Sequence, residues 1–157
     1  MITDKDKEYM GIALELASKG MGHVSPNPMV GALIVKDNNV IGSGYHMKYG
    51  EGHAEVNAFK NAEEFDVSGA TMYVTLEPCS HYGKTPPCAK KIIEKKIRRV
   101  VIGTLDPNPL VAGKGVYMLK EAGIEVECGV LEDECLKLNE VFMKYVVTKR
   151  PFVLMKS

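Results

Sequence analysis

The chain has no apolar run approaching the roughly 20 residues that a bilayer-spanning helix needs, which excludes a membrane segment of that kind. Its N-terminus, Met1-Ile2-Thr3-Asp4-Lys5-Asp6-Lys7-Glu8, is charged and lacks the apolar core of a secretory signal, so the cytoplasm is the expected compartment. Net charge is also absent: 20 acidic and 20 basic residues balance. That balance argues against a broad nucleic-acid or lipid-binding face, and any anionic substrate must be met by local groups. No internal repeat or linker divides the 157 residues, a length suited to one domain with a sizeable core. Gly42-Ser43-Gly44 lacks the third glycine and the following helix of a dinucleotide loop, so it supports no NADPH binding. Cysteines number only 4, and without an export signal they are expected as metal ligands or free thiols rather than disulfides.

What is present alternates between strand and helix. Thr3, with Asp6 three residues on, caps a helix carrying Met10, Ala13, Leu14, Leu16 and Ala17 and stopped by Gly20. Two prolines flank Asn27 and stiffen the loop from Gly22 to Pro28. Met29 to Val35 and Val40 to Tyr45, joined by Asp37-Asn38-Asn39, predict a β-hairpin with His46 at its far end. A helix from His53 to Glu64, a buried strand from Thr71 to Leu76, and a loop from Glu77 to Pro87 follow. Pro87 suits the start of a helix over Cys88 to Lys96, with a strand from Arg99 to Thr104 and a stiff Asp106-Pro107-Asn108-Pro109 loop beyond. Gly115 to Ala122 fits a helix ended by Gly123, Ile124 to Cys128 a strand, and Glu132 to Val147 a long amphipathic helix with Cys135, Leu138, Phe142 and Tyr145 facing the core. This order predicts an α/β fold, a three-layer α/β/α sandwich around a mixed, roughly five-stranded sheet. The Lys90-Lys91, Lys95-Lys96 and Arg98-Arg99 pairs are expected on a solvated helix face rather than at a nucleic-acid site.

Chemistry concentrates between His53 and Cys88. His53-Ala54-Glu55 opens one helix, Pro78-Cys79 follows a strand, and Pro87-Cys88 opens another helix. Two thiolates and a neutral imidazole suit tetrahedral zinc and leave its fourth position for water, and with Zn²⁺ their formal charges sum to zero. Glu55, two residues from His53, is then placed to move that water's proton. Taken singly, a histidine is most often at the surface or satisfied in a core, and a cysteine is a small buried hydrophobe. Jointly the residues match the His-x-Glu and Pro-Cys-x-x-Cys template of zinc deaminases. One departure stands out, because eight residues separate Cys79 from Cys88. His81 could compete as a ligand, and Cys128 and Cys135 are expected as core or free thiols.

The motifs His53-Ala54-Glu55-Val56-Asn57-Ala58, Thr75-Leu76-Glu77-Pro78-Cys79 with the loop on to Pro87-Cys88, and Pro26-Asn27-Pro28-Met29-Val30-Gly31 resemble those of the riboflavin-biosynthesis deaminase-reductase family. The likeness is to that family's deaminase domain, of the cytidine-deaminase-like superfamily, and the long loop between the cysteines is its hallmark. The resemblance implies zinc-dependent hydrolytic deamination of 2,5-diamino-6-ribosylamino-4(3H)-pyrimidinone 5′-phosphate. Zinc would be held by His53, Cys79 and Cys88, with Glu55 catalytic and Asn27, His46, Lys84, Asp106 and Asn108 lining the substrate pocket. Lys84 and His46 are the economical partners for the phosphate, which the neutral surface cannot attract by itself. The resemblance also implies a deaminase domain over 1–149 and, over Arg150 to Ser157, the junction where the family's reductase domain begins. Homo-oligomerisation through helices is expected. The alternatives are a sister deaminase acting on cytidine, dCMP or tRNA adenosine, or a structural-zinc interaction module without chemistry.

Overall fold

The computed structural model describes residues 2–19, 29–45, 53–80, 87–106, 109–138 and 140. Helix α1 (Asp4–Ser18) opens with the expected capping box, in which Thr3 Oγ1 accepts from the Asp6 N–H and the Asp6 carboxylate accepts from the Thr3 N–H. Strands β1 (Gly31–Lys36) and β2 (Asn39–Tyr45) form the expected antiparallel hairpin, turned by Asp37 and Asn38 at φ of 53° and 64°. Aspartate and asparagine tolerate the left-handed region, and two such residues in succession match the twist of the paired strands.

The chain continues through α2 (Ala54–Asn61), β3 (Thr71–Leu76), α3 (Cys88–Glu94), β4 (Arg99–Thr104), α4 (Lys114–Glu121) and β5 (Glu125–Cys128). The five strands lie in the order β2-β1-β3-β4-β5, antiparallel from β2 to β3 and parallel from β3 to β5. This is the mixed sheet that the hairpin and the later strand-helix-strand units predict. Strands β3 and β4 match the expected limits, whereas the helices are shorter: α2 ends at Asn61 and α3 at Glu94. Gly123, at φ of 87°, closes α4 as expected. The expected stop at Gly20, the loop from Gly22 to Pro28 and the tail over 150–157 lie outside the described residues, as does the final helix beyond residue 140.

Alternation along the central strands creates the layers. Ala32, Ile34, Met72, Val74, Val100 and Ile102 share one core with Ala58 and Phe59 of α2, Ala89 and Ile92 of α3, and Leu119 of α4. The intervening Leu33, Val35, Tyr73 and Val101 pack instead against Tyr9, Met10 and Ala13 of α1. Helical residues 132–138 join that second face, where fully buried Cys135 takes the space a side chain at Gly103 would need. Each fully buried aliphatic side chain contributes about 1.5–3 kcal/mol, so these two apolar faces hold the helices to the sheet.

Arg99 departs from the expected solvated face. It opens β4 as expected, but the strand's alternation turns it to the side of Val101 and α1 rather than to solvent. There its NH1 and NH2 groups donate to Asp6 Oδ1 and Oδ2 at 2.9 Å each, its Nε–H meets Glu125 Oε2 at 3.1 Å, and the Tyr73 hydroxyl donates to Asp6 Oδ1 at 2.7 Å. The Arg99 guanidinium holds the Asp6 carboxyl far below the usual carboxylate range, against the upward pull of burial.

Candidate metal centre

The site sits at the carboxyl ends of the parallel pair β3 and β4, where open α/β sheets characteristically form their clefts. Cys79 lies three residues beyond the end of β3, Cys88 is the first residue of α3, and His53 is the N-cap of α2. The expectation that His53 lies within the helix's first turn is corrected by its extended backbone, φ −69° and ψ 166°, which makes it the residue before the helix rather than part of it. Glycines set the depth of α2. A Cβ at Gly44 would come within 2.6 Å of the Ala54 carbonyl oxygen, and one at Gly42 within 2.6 Å of the Ala58 oxygen, so α2 rests directly on β2. Asn57 and Asn61 then donate from α2 to the carbonyls of Tyr45 and Ser43 at 2.8 and 2.6 Å.

His53, Cys79 and Cys88 offer ligand atoms that all lie within 4.8 Å of one another, and they form the group of this kind found among the described residues. His53 Nδ1 is 3.2 Å from Cys88 Sγ and 4.0 Å from Cys79 Sγ. Tetrahedral zinc, with its usual bond lengths, sets a nitrogen-to-sulfur separation of about 3.6 Å, and the two distances bracket it. The donor set therefore fits zinc in both size and softness.

The enlarged gap between the cysteines does not separate them. The Ala89 N–H donates to the Cys79 carbonyl at 3.1 Å, and the Cys88 N–H donates to Cys79 Sγ at 3.1 Å. The loop is thus stitched at its base, and lengthening a loop whose ends stay together costs little. The Cys79 thiol is lowered to about 4 mainly by the hydrogen bond from the Cys88 side chain, opposed by burial, with His53 and the Cys88 N–H adding to the lowering. The Cys88 thiol is pushed up because it donates to Cys79 and is more deeply buried. His53 is shifted up by its hydrogen bond with Cys79.

Glu55, only 4% exposed, stands in the first turn of α2. Burial raises its carboxyl to about 7, with the nearby thiolate acting in the same direction and His53 opposing it. A carboxyl there can both accept and donate a proton near neutrality. A bound cation would draw it back toward the ionised form.

The other expected residues divide. Asp106 follows β4 at the same end of the sheet, and its backbone N–H is held by a carboxylate at 3.1 Å. Asn27, His46, Lys84 and Asn108 lie outside the described residues, as does His81. Cys128 is exposed and Cys135 buried, both as free thiols. The carboxylate on Asp106 belongs to Glu77, a residue whose role was not foreseen. It is 5% exposed and lies just after a buried strand, two residues before Cys79. Its signal in the sequence was an acidic residue inside the Thr75-Leu76-Glu77-Pro78-Cys79 motif, directly after a buried strand. A cleft of about 580 Å³ opens beside Ser80, between Ala112, Gly113, Lys114, Tyr117 and Met118.

Comparison with known proteins bears on this arrangement. Residues 3–104 match the family model for the cytidine and deoxycytidylate deaminase zinc-binding region. The chain is 54% identical over 156 residues to the riboflavin biosynthesis protein RibD of Aquifex aeolicus (strain VF5), covering 99% of this chain and 44% of that protein. It is 48% identical to the diaminohydroxyphosphoribosylamino-pyrimidine deaminase of Buchnera aphidicola subsp. Schizaphis graminum (strain Sg), covering 94% of this chain and 99% of that protein. A solved structure of Acinetobacter baumannii RibD superposes with a TM-score of 0.86 at 53% identity, over 94% of this chain and 41% of that one. The chain thus spans less than half the length of the longer relatives, and almost the full length of the Buchnera protein.

Proposed function

We propose that this chain, which belongs to the cytidine and deoxycytidylate deaminase zinc-binding family, hydrolytically deaminates 2,5-diamino-6-ribosylamino-4(3H)-pyrimidinone 5′-phosphate. The observation that carries the reading is the convergence of His53, Cys79 and Cys88 beside buried Glu55. Near identity in length to the Buchnera deaminase supports the substrate class. No described helix is long and apolar enough to cross a membrane. A reducing, cytoplasmic setting suits four free thiols, two of them needed as metal ligands.

His53, Cys79 and Cys88 would hold zinc. When bound, the ion supplies Lewis acidity that brings the pKa of a water towards neutrality. Glu55 takes the first proton from the attacking water and passes it to the ring nitrogen, then takes the second from the hydroxyl so added and delivers it to the departing amine. The water oxygen bonds to the amine-bearing ring carbon, the carbon–nitrogen bond breaks, and ammonia leaves, giving the uracil derivative. Protonation must precede departure, because an amide ion is far too basic to leave. One carboxyl can serve each transfer because burial in the first turn of α2 raises it from the usual carboxylate range, against the pull of the bound cation toward the ionised form. Asn27, His46, Lys84, Asp106 and Asn108 are proposed to contact the substrate, with the Lys84 ammonium meeting the phosphate. A reductase acting on the uracil product is the proposed partner activity, with the segment from Arg150 to Ser157 leading to it.

The test is turnover of the pyrimidine phosphate by zinc-loaded protein, followed by ammonia release. Glu55→Gln should lower turnover by about 10²–10⁴-fold while zinc content stays stoichiometric. Turnover of cytidine or dCMP in place of the pyrimidine phosphate would overturn the substrate assignment. Unchanged function in Glu55→Gln would leave a structural zinc site.

A further inference from the structure

The geometry points to Glu77 as a positioning residue that indexes the loop after β4, and the start of α4, to the metal-ligand turn. Its Oε1 accepts from the N–H groups of Asp106 and Gly113 at 3.1 and 2.9 Å, and its Oε2 from those of Gly115 and Val116 at 2.8 and 3.1 Å. Its own N–H donates to the Thr104 carbonyl at 2.9 Å. One buried carboxylate therefore closes both ends of the loop from 106 to 113 and caps α4, whose N-cap residue, Gly113, has no side chain to do so. Contact continues at Gly115, where a Cβ would run into the Pro78 carbonyl oxygen. The first turn of α4 is thus seated on the Glu77-Pro78 backbone, immediately before Cys79.

A carboxylate is needed because every group facing it is a donor. A glutamine has one oxygen, and its NH₂ would be pressed against two backbone N–H groups. Cys79 has separate anchors on the α3 side, from the Ala89 and Cys88 N–H groups. Loss of the clamp should therefore release the Asp106 loop and the wall at Gly113 without releasing the metal ligands. The kinetic consequence rests on the proposed deamination, since Asp106 is there a substrate contact: weakened substrate binding with the chemical step preserved.

The experiment compares zinc-loaded wild type, Glu77→Gln and Glu77→Asp by amide hydrogen exchange, zinc content, and KM against kcat. Expected are faster exchange at Asp106, Gly113, Gly115 and Val116, unchanged exchange at Ala89, and stoichiometric zinc. KM should rise about tenfold in Glu77→Gln with kcat changed far less, the scale of one or two lost buried hydrogen bonds. Glu77→Asp, which keeps the acceptors but is one methylene shorter, should show the same pattern more mildly and serves if Glu77→Gln does not fold. Unchanged exchange at the four amides, or zinc loss with KM unmoved, overturns the clamp. Wild type that turns over no pyrimidine phosphate overturns the functional reading, while the exchange pattern still decides the clamp.

Discussion

Replacing Asp6 by alanine removes the centre of a network at the end of the sheet opposite the metal site. The residue is 2% exposed, and its carboxylate accepts from Arg99, Tyr73 and the Thr3 N–H. Arg99 would lose two charge-assisted hydrogen bonds while only 13% exposed, although it keeps Glu125 at 3.1 Å. Removing one partner of a buried pair costs about 3–5 kcal/mol, and the surviving Glu125 contact places Arg99 below that range. The orphaned Tyr73 hydroxyl and the opened capping box raise the total to about 4 kcal/mol. For a domain of this size that lowers Tm by roughly 8–16 °C. Thermal and urea unfolding of zinc-loaded protein measure it, and zinc content with turnover below the transition should stay at wild-type values. The pH dependence has a definite sign. Because the folded protein depresses Asp6, its contribution is complete above the unfolded value near about 4 and is lost as pH falls through the lower folded value. The gap between wild type and variant should therefore narrow only below about pH 4. A loss under about 1 kcal/mol, or a gap that widens in acid, refutes the reasoning.

Two further expectations concern the seat of the metal and the remaining thiols. Gly44→Ala puts a methyl group 2.5 Å from the Ala58 nitrogen and 2.6 Å from the Ala54 oxygen. Lifting α2 moves His53 and should weaken zinc binding by about tenfold or more, read by competition with a chromophoric chelator; unaltered affinity would show that α2 seats His53 by other means. In the zinc-loaded protein a thiol reagent should label exposed Cys128 rapidly and buried Cys135 only on unfolding. Rapid native labelling of Cys135 would contradict its place beneath Gly103.

How much of this was legible in the chain follows from the range of each interaction. The Thr3 and Asp6 box, the Asp37-Asn38 turn and the limits of β3 and β4 depend on neighbours a few residues away and on alternation, so they could be read directly. The candidate metal ligands were legible for another reason: a histidine and a glutamate at one helix start, with a Pro-Cys after a strand and another at a second helix start, carry chemistry that a core does not require. Helix ends were less so, because α2 and α3 stop where packing against the sheet ceases to reward another turn.

Pairings across the fold were not written locally. Arg99 follows another arginine and looks solvated, yet its partner Asp6 lies 93 residues away, and only the side of the sheet on which β4 places it brings them together. Glu77 is one acidic residue among many until α4 sets its first N–H groups against it. The long gap between Cys79 and Cys88 is likewise ambiguous in sequence. The sequence by itself determined the candidate ligand types, the alternation that builds three layers, and the class of chemistry proposed for them. Tertiary structure alone decided that the two cysteines stay close across that loop, because this rests on N–H groups of α3 reaching back to Cys79.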